Sequence, residues 1–175
     1  MGLKAMEKNE VRAIAGSRGF MVKQTVDIPL LCHGGIDEVD VALKNGIQAP
    51  LAINLIFCKD GIEIRTTASG KMIQTAIASS DIVSIKFFSG VQGSGSTAGV
   101  AASAIVGGAL LGPLGALAGA TIGLGATLNR ICYAIEYKSK PENGFLLVSF
   151  IPTYKKNIDK FFSKAYPNCF DPTIT

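Results

Sequence analysis

Tryptophan is absent from this chain of 175 residues, and histidine occurs once, at His33. A single histidine excludes any His-rich metal cage and leaves no Ser/His/Asp triad to assemble. The four cysteines, Cys32, Cys58, Cys132 and Cys169, show no CxxC or CxxH spacing, which argues against zinc ribbons and redox pairs. Charge is scarce, at 17% of residues, and mean hydropathy is high at +0.36. The scarcity is local: the 43 residues from Phe87 to Asn129 carry no charge at all. An apolar N-terminal leader is also not expected, because Lys4, Glu7, Lys8, Glu10 and Arg12 interrupt the first residues. These absences point to a reducing, cytoplasmic setting, without disulfides, metal or other cofactor.

What is present has a globular balance outside the uncharged stretch, and its 48% hydrophobic content excludes disorder for most of the chain. The net charge of +4 is too small for a nucleic-acid-binding composition, and its excess lies towards the C-terminus. Lys155, Lys156, Lys160 and Lys164 cluster there, either as a solvated helix face or as a contact for an anionic membrane.

Two-residue alternation dominates from Phe20 onward. Val22, Gln24, Val26 and Ile28 share one side of a strand, and Cys32-His33-Gly34-Gly35 reads as a turn. Val39–Leu43 reads as a short strand edged by Asp37, Glu38 and Asp40, acidic residues expected to be solvated. Leu51–Cys58 and Ile62–Thr67 form the clearest hairpin, with Lys59-Asp60-Gly61 supplying the Asp-Gly pair a tight turn needs. In that hairpin Glu63 and Arg65 are expected to face water. Met72–Ile77 and Ile82–Phe88 follow as strands, the latter with Val83, Ile85 and Phe87 on one face. After the uncharged stretch, Ile131, Tyr133, Ile135 and Tyr137 alternate again, and Phe145–Ile151 is a nearly continuous apolar strand. Pro152 and Thr153 then open a helix whose stripe is Tyr154, Ile158, Phe161, Phe162 and Ala165, stopped by Pro167.

The expected fold is α+β and mainly β: a curled antiparallel sheet or barrel, capped by a C-terminal amphipathic helix, with an apolar helical hairpin inserted. The expected segments are an N-terminal extension (1–19), the β domain (20–92 and 130–166), the insertion (93–129) and a tail (167–175). Leu51–Thr67, the step Ile77–Ile85 and the closing Arg130–Tyr166 resemble bacterial pleckstrin-homology-like domains, including the GRAM type. The resemblance implies a binding module for lipid headgroups, peptides or other subunits. Lipid-binding members place basic residues in the loop after the first strand, whereas the hairpin loop here offers Lys59 beside Asp60.

The insertion carries eight glycines in the 32 residues Thr97–Leu128. Gly99, Ser103 and Gly107, then Gly115, Gly119 and Gly123, recur every four positions, which on a helix gives a flat face for close backbone approach. This spacing resembles glycine-zipper segments, and Gly112-Pro113 would break the helix midway. Two ordinary spans need about 40 residues and a turn. Each half would reach about 22–24 Å, short of a hydrocarbon core of about 30 Å. The segment therefore reads as a helical hairpin that enters a bilayer partway, packs against copies of itself, or lies buried within one chain.

Gly93-Ser94-Gly95-Ser96-Thr97 lacks the lysine of a phosphate-binding loop and reads as a linker. No catalytic constellation emerges, so an enzyme is not expected. The expected function is a membrane-associated binding module that self-associates through the zipper hairpin. The alternative is a soluble homo-oligomer whose hairpins share a core. In both, the chain's main partner is itself; lipid is the further partner of the first.

Overall fold

A computed structural model describes residues 2–18, 30–45, 51–89 and 131–172. The helices are α1 (Lys8–Ala15), α2 (Asp37–Lys44) and α3 (Lys155–Ala165). The strands are β1 (Leu30–Gly34), β2 (Leu51–Phe57), β3 (Gly61–Ala68), β4 (Lys71–Ala78), β5 (Ile82–Ser89), β6 (Ile131–Tyr137), β7 (Gly144–Phe150) and β8 (Phe170–Asp171). Among the described residues they form one mixed sheet in the order β4-β3-β2-β1-β7-β6-β5-β8. All neighbours are antiparallel except β8, which runs parallel beside β5.

Of the two expected forms, curled sheet or barrel, the barrel does not form: among the described residues no ladder joins β4 to the other side of the sheet. The sheet is nevertheless strongly curled, and chain length shows why. In a flat sheet β4 and β5 would stand six strand spacings apart, about 29 Å. Ser79–Asp81 alone connect Ala78 to Ile82, a reach of at most about 14 Å. Register shifts between Cys32 and Gly34 and between Ile82 and Ser84 supply part of the bend.

The concave face holds the main core. Ile53, Leu55, Ile62, Ile64, Ile85, Tyr133, Ile135, Leu146 and Phe150 are buried there. Helix α3 contributes Ile158 and Phe162 to this core. Phe162 meets both Phe57 of β2 and Tyr133 of β6, although β1 and β7 lie between those strands. Helix α1 covers part of the other face, where Val11 and Ala15 pack on Ala76 of β4.

The hairpin β2–β3 forms where its alternation predicts, with Cys58 N–H bonded to the Gly61 carbonyl, but the expected Asp-Gly turn is not used: neither Asp60 nor Gly61 takes a positive φ, and Gly61 already pairs with Ala78 as the first residue of β3. Three other local expectations are corrected. Cys32–Gly34 belongs to β1 rather than to a turn; the turn falls at Gly35, whose φ of +98° suits glycine. Val39–Leu43 lies in α2, because the buried positions Ile36, Val39 and Ala42 recur every three residues and three carboxylates favour the helix N-terminus. Val41, which alternation would bury, is 57% exposed. In β5 the irregularity near Ile82 turns Val83 outward while Ile82 and Ile85 are buried. The strand expected over Val22–Ile28 lies outside the described residues.

Candidate interaction surface

The two strands that bracket the uncharged insertion are immediate neighbours. Ser89, the last residue of β5, pairs with Ile131, the first of β6, so the intervening residues leave and rejoin the sheet at one point. Paired Cα atoms lie about 5 Å apart. Ile131 in turn pairs with Phe150 at the end of β7, which places Ile151 and the start of α3 on the same rim of the sheet. Gly99, Ser103, Gly107, Gly115, Gly119 and Gly123, the expected self-association positions, all lie outside the described residues.

The four lysines sit on α3, distributed along its length. Lys156, Lys160 and Lys164 are exposed, as expected for the polar side of an amphipathic helix. Lys155 is half-buried, with Nζ 2.5 Å from an Asp159 carboxylate oxygen. The other Asp159 oxygen accepts the hydroxyl of Tyr133, a fully buried residue of β6. Burial, followed by that hydrogen bond and the Asp159 charge, raises the Tyr133 pKa above the ordinary phenol value. This latch ties α3 to the sheet. Sequence spacing could not reveal it, since Tyr133 and Asp159 are 26 residues apart.

A second polar cluster lies under the N-terminal segment. Glu63, expected to face water, is only 6% exposed. Its Oε1 accepts bonds from Arg18 at 2.8 Å and from Arg65 Nε at 2.6 Å. Arg18 Nε also reaches Oε2 at 3.1 Å. The cover arrives with residues 2–18, whose backbone is laced to the sheet by Met6 N–H to Gln74 and by Asp60 N–H to Ala15. The outward side of β3 at Glu63 therefore faces this strap rather than water.

The acidic trio of α2 is likewise not simply solvated. Asp37 accepts the Gly2 N–H at 2.8 Å, Glu38 the Ala5 N–H at 3.2 Å and Asp40 the Gly35 N–H at 3.0 Å. These carboxylates pin the N-terminal segment and the β1–α2 turn. Nearby, burial and then the charges of Asp37 and Asp40 raise the Tyr137 phenol. Cys32, fully buried in β1, has its thiol pushed up to about 12 by burial.

Among the described residues no group of three or more His, Cys, Asp or Glu side chains is arranged to hold a metal ion. Nor is any described helix long and apolar enough to cross a membrane. Comparison of the chain with protein-family models, with curated proteins and with solved structures finds no match.

Proposed function

We propose that this protein is a non-enzymatic, membrane-associated binding module that self-associates through its glycine-zipper insertion. The observation that carries the reading is the pairing of Ser89 with Ile131. Both ends of the insertion emerge side by side from one sheet, so a membrane-entering segment must return to the side it left. An odd number of crossings is excluded on that ground. The 32 residues Thr97–Leu128 are too few for two ordinary helical spans, which favours a shallow hairpin held by contacts between copies.

A pleckstrin-homology-like scaffold is the finer reading of the fold. Its support is the meander β1–β4, the three-stranded run β5–β7 and a closing helix that adds to the core of the curled sheet. The fold class alone does not specify a ligand. The uncharged insertion supplies the functional argument, because an apolar stretch of this length has to be covered by protein or by lipid.

The test is sedimentation of the purified full chain with liposomes, alongside a variant in which residues 93–129 are replaced by a short Asn-Gly turn. The full chain should pellet with liposomes, and the shortened one should stay in the supernatant while keeping its far-ultraviolet β signature. A full chain that remains quantitatively unbound and runs as a discrete oligomer would favour the shared-core reading instead. A monomer that ignores liposomes would overturn both.

A further inference from the structure

Resting on the membrane reading above, we infer that the rim formed by Ser89, Ile131, Phe150 and the first turn of α3 faces an anionic bilayer. Ile151 and Lys156 are its contact residues, whereas Lys160 and Lys164 are not. The four lysines, equivalent in sequence, are thereby divided by the fold. Ser89, Ile131 and Phe150 form one row across β5, β6 and β7, about 10 Å wide. The insertion departs from one side of that row, and α3 begins at the other.

The chemistry of the rim suits an anionic, partly apolar surface. Ile151, the large aliphatic residue that follows β7, is 39% exposed. Pro152, Thr153 and Lys156 beside it are exposed as well. From Gly144 to Asn157 the chain carries no acidic side chain, and β5 has none either. Lysines in the first turn of a helix oppose its macrodipole, so helix stability does not account for Lys156. From this rim α3 runs inward for about 16 Å. Phe162 contacts Tyr133, which lies inward of Ile131 on β6, and Phe170, which pairs with Ile85 inward of Ser89 on β5, and Tyr166 N–H closes the helix on the Phe162 carbonyl. Lys160 and Lys164 belong to that inner half and recede from the rim.

A matched pair of charge reversals isolates the orientation. Lys156→Glu acts at the rim; Lys140→Glu makes the same charge change in the turn at the opposite ends of β6 and β7, about 20 Å away. Both residues are exposed, and thermal midpoints close to the native value establish that both variants are folded. Binding of the full chain is measured on vesicles containing about one-third phosphatidylserine and on purely zwitterionic vesicles. The expected result is about tenfold weaker binding to the anionic vesicles for Lys156→Glu, with Lys140→Glu within twofold of native. Lys160→Glu should follow Lys140→Glu, and Ile151→Ser should weaken binding to both kinds of vesicle. Equal losses for Lys156→Glu and Lys140→Glu overturn the orientation and leave general charge attraction. A native chain that binds neither vesicle overturns the membrane reading beneath it, an outcome distinguishable from the first.

Discussion

Glu63 illustrates how one carboxylate can organise a face of a sheet. It sits in β3 on the side opposite the main core, and two guanidiniums converge on it. A buried charge stripped of its partners costs about 3–5 kcal/mol, whereas exposed pairs contribute about 0–1 kcal/mol. Arg18 is half-exposed and Arg65 a third exposed, so Glu63→Gln should destabilise by about 2 kcal/mol in urea titration. Gly35 is constrained by geometry instead: a Cβ there would overlap the Phe145 carbonyl oxygen, and its φ is +98°. Gly35→Ala should abolish cooperative thermal unfolding or lower its midpoint by about 6–12 °C, equivalent to about 3 kcal/mol. The Cys32 thiol, raised from 9.0 to about 12, sets an alkaline limit. A raised folded pKa means this contribution is fully present below about pH 9 and is lost as pH rises towards 12. Iodoacetamide at pH 8.5 should therefore spare Cys32 in the native chain and modify it in urea, as read by peptide mass.

At the scale of elements, α3 is held by its aromatic face. Phe162 contacts Phe57, Tyr133 and Phe170, which joins the helix to both halves of the sheet and to β8. Phe162→Ala should cost about 3–5 kcal/mol in chemical denaturation. Tyr133→Phe removes only the hydroxyl held by Asp159 and should cost less, about 1–2 kcal/mol. The stripe that produces this packing was legible in the sequence, because Ile158 and Phe162 repeat at helical spacing inside a short window. The hairpin β2–β3 was legible for the same reason, from local alternation, although its turn does not use the positive φ that the Asp-Gly pair offers. Helix α2 was not, since Val39, Val41 and Leu43 mimic a strand while Ile36, Val39 and Ala42 mark the true buried side. Glu63 was illegible for a different reason. Its cover comes from Arg18, 45 residues away, and no local pattern records such a contact. Strand β8 escaped notice because its two residues carry no period at all.

The whole molecule depends on contacts between distant parts of the chain. Strand β7 bridges β1 and β6, joining the part before the insertion to the part after it. Whether the sheet would close was unreadable from alternation, because closure depends on stagger and curl rather than on which residues face inward. Loop-closure entropy grows with loop length, so exchanging the 41 residues between Ser89 and Ile131 for a four-residue turn should stabilise the domain by about 2 kcal/mol. Denaturation of the shortened variant checks this, independently of any membrane.

The Ser89–Ile131 pairing also bears on how the chain tolerates being cut. With its two ends already fastened in the sheet, the insertion is not the covalent tether on which the fold relies. A single proteolytic nick between residues 90 and 130 should therefore yield two fragments that co-elute under native conditions. Expressed as separate polypeptides, 1–89 and 131–175 should reassemble through β1–β7 and β5–β6, as a split protein does.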